Sequence, residues 1–177
     1  MRFLPTSLPG VFVVEPELRE DERGFFARTW CREEFATAGL PTDWPQCNIS
    51  FNRQAGTLRG MHWQAAPHEE VKLVRCTMGA AYDVVLDLRP DSPTFKKWAA
   101  FEITAANRKA VYIPAGCAHG FQTLVDNTEL FYHMGESYHP ESARGVRWDD
   151  PAFGIVWPPC EKRVLGTRDL AFPDFTA

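Results

Sequence analysis

Thr57-Leu58-Arg59-Gly60-Met61-His62-Trp63-Gln64, followed eight residues on by Lys72-Leu73-Val74-Arg75-Cys76, is the stretch on which the fold turns. It reads as two successive β-strands that carry a histidine, a lysine and two arginines. Charged groups at inward strand positions are costly to bury unpaired, so a polar cavity explains them better than a dry core does. A base beside a cation is what removal of a proton next to a carbonyl requires: the imidazole takes the proton and the ammonium steadies the enolate. One detail resists simple alternation. Positions 59 and 62 should face opposite sides of a regular strand, and a bulge at Gly60 would re-aim one of them.

Working outward, strand composition recurs at Val11–Val14, Phe25–Trp30, Gln46–Asn52, Glu70–Thr77, Ala81–Leu88, Trp98–Ile103, Ala110–Ile113, Phe121–Leu124 and Glu129–Met134. Turn signals such as Ala55-Gly56, Met78-Gly79, Arg89-Pro90-Asp91 and Pro114-Ala115-Gly116 separate them. Arg32 to Ala38, ending at Gly39, predicts one short helix. Evenly spaced short strands predict an all-β sandwich or barrel, and with no repeat or linker the 177 residues form a single domain. The tail from Arg147 onward is rich in Trp, Pro and Phe and is expected to pack across the barrel as irregular structure.

A net charge of −4 supplies no field to attract nucleic acid, and no apolar run reaches a membrane span. The N-terminus carries no long apolar segment of the signal-peptide kind. Five cysteines without a CxxC pair predict reduced thiols in a cytoplasm.

Taken singly, the chemistry-bearing residues are ambiguous. A lone strand histidine is more often structural than catalytic, and it is Arg59 and Lys72 that single out His62. Asp83 and Asp87 share a parity on one strand; Asp87 is expected in a salt bridge, and Asp83 could orient a base. His119 follows a turn, Tyr132 could donate a proton, and Asp169 looks locally like a solvated charge. Arg23 with Arg59 could clamp a diphosphate, and Phe26 and Trp63 offer stacking faces. His62, Glu70 and His119 could in principle hold a metal, but Lys72 would repel the cation.

Together these residues resemble the nucleotide-sugar 3,5-epimerase family. The likeness rests on DERGFF at 21–26, LRGMHWQ at 58–64, KLVRC at 72–76, DVVLDLR at 83–89, IPAGCAHGF at 113–121, Tyr132, Asp150-Pro151 and Asp169. It implies a cupin-type jelly roll that works as a homodimer on a nucleotide sugar, without metal or cofactor. It further implies His62 as base, Asp169 as its orienting carboxylate, Lys72 at the enolate oxygen and Tyr132 as proton donor on the opposite face. Gln46, Asn48, Arg59 and His119 would line the sugar pocket, with Arg23, Phe26 and Arg28 at the nucleotide across the dimer. Two departures from the family pattern carry expectations. Arg28 stands where a glutamate is common and suits a cytosine acceptor, which raises a CDP-sugar beside the dTDP form. The His133–Glu136 stretch leaves inversion at C3 alone open. A 3,4-ketoisomerase or a non-catalytic sugar-binding module on the same scaffold are the alternatives.

Overall fold

The computed structural model describes residues 1–176. In chain order the strands are β1 (Arg2–Pro5), β2 (Phe12–Glu15), β3 (Arg19–Asp21), β4 (Gly24–Phe26), β5 (Gln46–Asn52), β6 (Thr57–Gln64), β7 (Lys72–Met78), β8 (Ala80–Asp87), β9 (Trp98–Thr104), β10 (Ala110–Ile113), β11 (Cys117–Thr123), β12 (Thr128–Met134), β13 (Ala143–Gly145) and β14 (Val164–Leu165). The helices are α1 (Arg32–Thr37) and α2 (Thr167–Leu170). One sheet runs β1-β2-β10-β7-β12-β5 and a second runs β13-β6-β11-β8-β9, with β14 added in parallel to β6 and β3–β4 forming a separate hairpin.

The alternation of side chains across these strands builds three apolar layers. Between the sheets, Val74, Cys76, Val111 and Leu130 of the first meet Ala81, Val85, Ile103, Cys117 and Phe121 of the second. The opposite residues of β7, β10 and β2 (Leu73, Ala110, Tyr112 and Val14) face outward and are capped by Phe35 of α1, with Trp30 and Trp44 beside it. On the far side Leu58, Met61, Val84, Leu86 and Ala118 are covered by Val146, Phe153 and Trp157 from the tail. This is the jelly roll that the resemblance implied, and the mostly irregular tail wraps one sheet as expected. All five cysteines are free, and no helix among the described residues is long and apolar enough to cross a membrane.

Three boundaries differ by two residues or more from the sequence reading. β11 begins at Cys117, four residues before the expected start, so His119 lies within a strand rather than at a turn. Its Ala-His-Gly run lacks strand propensity, yet pairing with β8, and with β6 at His119, overrides that. The hairpin strand β4 ends at Phe26 instead of running to Trp30. β7 starts at Lys72, which leaves Glu70 in the preceding loop although its side chain is buried.

Asp87, wholly buried at the end of β8, illustrates how the sandwich tolerates charge. Its carboxylate accepts from Arg89 Nε at 2.9 Å and Nη2 at 2.7 Å, and from the Ser92 and Thr94 hydroxyls, both at 2.6 Å. Burial alone would raise its pKa; these donors outweigh it and hold the carboxyl well below the usual range. The unfolded chain therefore binds this proton more readily. The stabilisation is complete above the unfolded value of ~3.9 and drains away as pH falls toward the folded one. Asp87→Asn should be about 2–3 kcal/mol less stable at pH 7, yet lose less further stability between pH 5 and 2. Urea midpoints across that range read the difference, and parallel curves for the two proteins would exclude Asp87 as the source.

Candidate active site

A cavity of about 270 Å³ opens between the two sheets, lined by Asn48, Ser50, Arg59, His62, Lys72, His119, Phe121, Tyr132 and Met134. It continues past Asn48, His62 and Met134 into a second hollow of about 210 Å³ that adds Gln46, Trp63, Gln64, Glu70, Tyr138, Arg144 and Arg168.

The strand β6 supplies both Arg59 and His62 because its alternation is broken between them. Leu58 and Met61 point to the outer layer, so the two polar residues share the inner face. The β6–β11 register slips between His119 and Phe121, opposite Gly60, whose φ is +134°. Only glycine adopts that backbone readily. The bulge raised by the sequence pattern is thus in place.

His62 and His119 are direct cross-strand partners, and each has its own carboxylate. His62 Nε2 lies 2.6 Å from Asp169 Oδ1, and Asp169 Oδ2 accepts the Gly60 N–H at 3.3 Å. Asp169 is buried on α2, so its appearance as a solvated charge is corrected: the local sequence around a four-residue helix carries no sign of a partner 107 residues away. With the carboxylate holding Nε2–H, the lone pair of neutral His62 falls on Nδ1. Phe172 packs its ring edgewise to the imidazole, with centroids 6.0 Å apart. On the other histidine, Nε2 lies 2.7 Å from Asp83 Oδ1 in full burial. The open question about Asp83 is answered by this pair.

Lys72 is almost completely buried, and its ammonium donates to Glu70 Oε1 at 2.9 Å and to the His62 carbonyl at 3.1 Å. An ammonium has three N–H groups, so one remains for a ligand oxygen. Tyr132 stands across the cavity, edge-on to His119 at 6.0 Å. Burial, reinforced by the Asp83 charge and only partly offset by Arg59, pushes its phenol far above the ordinary range. It stays protonated, and therefore a donor, at any physiological pH. Arg59 is held through Nε by Asn52 Oδ1 at 2.8 Å, and Gln46 donates to Asn48 Oδ1 at 3.2 Å.

His62, Lys72, Tyr132, Arg59, Asn48 and His119 therefore line one cavity, with Gln46 in the adjoining hollow and Asp169 directly behind His62. Arg23, Phe26 and Arg28 are not brought to it within one protomer. Arg23 is bound to Asp21 at 2.6 Å, Phe26 is 75% exposed, and Arg28 pairs with Glu34 at 2.7 Å in a separate hollow. The metal grouping of His62, Glu70 and His119 does not form, because each is engaged by its own partner: Asp169, Lys72 and Asp83. Sequence reasoning missed Glu70 as the lysine's anchor, although the i, i+2 spacing of Glu70 and Lys72 was a usable signal. Tyr138, Arg144 and Arg168 lie in loops and short elements whose sequence carries none.

The family model for dTDP-4-dehydrorhamnose 3,5-epimerase matches residues 5–177. The chain belongs to that family. A dTDP-4-dehydrorhamnose 3,5-epimerase of Sinorhizobium fredii is 41% identical over 98% of this chain and 89% of its own. The Bacillus anthracis epimerase, solved with TDP and pyrophosphate bound, superposes with a TM-score of 0.94 at 37% identity, covering 98% of this chain and 99% of its own. A 3'-monoepimerase, ChmJ of Streptomyces bikiniensis, solved with dTDP-quinovose, gives 0.90 at 34% identity, covering 96% and 86%. The chain is an enzyme of this epimerase family, and its relatives include members named for one centre as well as for two.

The Gly60 bulge yields a direct test. A Cβ there would sit 2.5 Å from Gly120 Cα and 3.0 Å from the His119 carbonyl oxygen. Gly60→Ala should lower the melting temperature by about 4–8 °C and reduce kcat more than it raises KM, because Arg59 and His62 lose their common face. A Gly60→Ala enzyme with unchanged kcat would remove the bulge from the catalytic account.

Proposed function

We infer that this chain inverts C3 and C5 of dTDP-4-dehydro-6-deoxyglucose by successive proton abstraction and return. The C4 ketone acidifies both neighbouring carbons, since each enolate places its charge on O4. Nδ1 of His62 takes the proton while Asp169 holds the ring and balances the imidazolium. Imidazole, with a pKa of ~6.5, is far too weak to do this unaided, and each unit of mismatch costs about 1.36 kcal/mol. The free N–H of Lys72 offsets that by binding O4 in a cavity where little water competes. Tyr132 returns a proton from the other face, which inverts the carbon. The ketone arrives on the substrate, so no redox cofactor is invoked.

The observation that carries this reading is a 2.6 Å imidazole–carboxylate pair sharing one cavity with a buried ammonium and a phenol that does not ionise. A ketoisomerase or a passive sugar-binding module has no need of a donor opposite the base. The likeness to a 3'-monoepimerase supports a second reading, inversion at C3 alone.

The protein is further read as a cytoplasmic homodimer. The edge strand β5 exposes Ile49 and Phe51, and a long apolar edge invites a partner. In such a dimer Arg23, Phe26 and Arg28 of one protomer would reach the nucleotide held by the other. Arg28 is already neutralised by Glu34, and the relatives are named for dTDP sugars, which favours thymine over cytosine.

Proton NMR in deuterated water tests the chemistry. Deuterium should enter at both C3 and C5, and label at C3 only would establish the single-centre reaction. His62→Ala should lower exchange at both carbons by about 10²–10⁴-fold, and exchange that persists would remove His62 as the base. Tyr132→Phe should lose inversion while retaining wash-in from the face His62 serves. The dTDP substrate should exceed its CDP counterpart at least tenfold in kcat/KM; parity would restore the cytosine reading of Arg28. Light scattering should give twice the 20.1 kDa chain mass, and a monomer that turns over at full rate would end the dimer assignment.

A further inference from the structure

Two loops meet beside the cavity and carry a cluster that the epimerase chemistry does not use. Residues 65–71 join β6 to β7, and residues 135–142 join β12 to β13. Gln64 ties them together: its Nε2 donates to the carbonyls of His68 and Ser137, each at 3.1 Å, and its Oε1 accepts the His139 N–H at 2.6 Å. Around this tie the imidazoles of His68 and His139 stack face to face, with centroids 3.4 Å apart and planes 5° from parallel. Two carboxylates flank them. Glu136 Oε1 lies 3.9 Å from His139 Nε2, and Glu141 Oε1 lies 3.2 Å from His139 Nδ1 and 4.0 Å from His68 Nε2. One donor atom from each of His68, Glu136 and His139 falls within 4.8 Å of the others.

Stacked imidazoles make no hydrogen bond to one another, and if both were protonated they would repel. The neighbouring carboxylates supply negative charge to this spot. Two imidazole nitrogens and a carboxylate oxygen brought within 4.8 Å of one another from two loops are the donor set that divalent transition ions of zinc's class select. Bonds of about 2.0–2.1 Å in a tetrahedral arrangement place ligand atoms roughly 3.4 Å apart. To reach that the cluster must contract by little more than an ångström and the two rings must turn out of their parallel stack, so that their in-plane lone pairs meet at one point. Both histidine side chains are about a third exposed and have room to turn. Glu141 would hold Nδ1–H of His139 and leave Nε2, the nitrogen nearer Glu136, free to ligate; a carboxylate behind a ligating histidine is the usual way that ring is oriented.

We propose that His68, His139 and Glu136 form a binding site for one divalent transition cation, of which Zn²⁺ is the probe, clipping the two loops together. Water completes the coordination. The site is separate from the groups that move protons, but the clipped loop also carries Glu70, the anchor of Lys72, two residues beyond His68. Occupancy therefore stiffens the support of the catalytic ammonium from outside the cavity.

The test is calorimetric titration of Zn²⁺ alone into tag-free, chelator-stripped, reduced full-length protein, with melting curves alongside. One ion per chain is expected, raising the melting temperature by about 5–10 °C at a hundredfold excess over Kd. His68→Asn and His139→Asn should each weaken binding more than tenfold, and Glu141→Gln about tenfold, with circular dichroism and metal-free turnover unchanged. Absence of saturable binding, or equal affinity in both histidine variants, as expected if the free thiols were the ligands, would overturn the proposal.

Discussion

Asp169 reaches back from a four-residue helix near the end of the chain to the imidazole of His62 on a central strand, at 2.6 Å, and the rest of the site depends on this contact. The carboxylate selects the tautomer and fixes the ring, and it would compensate any charge the ring took up. Its own position is held by several devices. The segment before α2 runs as β14 parallel to β6, Phe175 donates its backbone N–H to Asp150 Oδ2 at 2.6 Å, and Phe153 and Trp157 fill the outer layer. A tail with little regular structure is thus made rigid by packing rather than by propensity. That is why His62 can be oriented by a residue so distant in sequence.

The interior of this sandwich is unusual in what it buries. Asp83, Asp87, Lys72, His119 and Asp169 are all nearly inaccessible, and unpaired charges there would cost several kcal/mol each. Every one is matched: Asp83 with His119, Asp87 with Arg89, Lys72 with Glu70, Asp169 with His62. The pairs differ in consequence. Asp87–Arg89 is saturated by hydroxyls and is purely structural. Around the cavity the pairing is incomplete, since Lys72 keeps an uncommitted N–H and Asp83 Oδ2 has no partner. Of these, only the Lys72 N–H belongs to a residue that lines the cavity; Asp83 is wholly buried behind His119.

Much of this was legible in the sequence, and the reasons are specific. β5, β6 and β10 were bounded to the residue, because short runs of strand-forming side chains were enclosed by clear turn signals. The inward parity of Asp83, Asp87 and Lys72 followed from alternation alone. The conflict between Arg59 and His62 was visible as a broken period, and a glycine lay between them to explain it. Asp169 was recovered only by resemblance, because its partner is a tertiary one. His119 was displaced by two elements' worth of pairing that no local propensity reports. Arg23, Phe26 and Arg28 were assigned to the nucleotide, and a single protomer leaves them far out on its surface.

The four ionisable groups at the reaction centre also explain why so little has to move. With His62 acting as a neutral base against an ionised Asp169, that pair would start at a net charge of −1, and the Glu70–Lys72 ion pair at zero. In the proposed step, taking the substrate proton would make the first pair neutral and leave −1 on O4, beside the ammonium. The step therefore relocates an existing negative charge across the cavity instead of creating a new separation in a medium of low polarity. Glu70 has a double role here. It holds Lys72 by a 2.9 Å bond, and it tempers the ammonium so that O4 is stabilised by an oriented hydrogen bond rather than by an unscreened cation. A stronger, uncompensated charge would hold the enolate too firmly, whereas each proposed inversion requires that the enolate be reprotonated on carbon as readily as it forms.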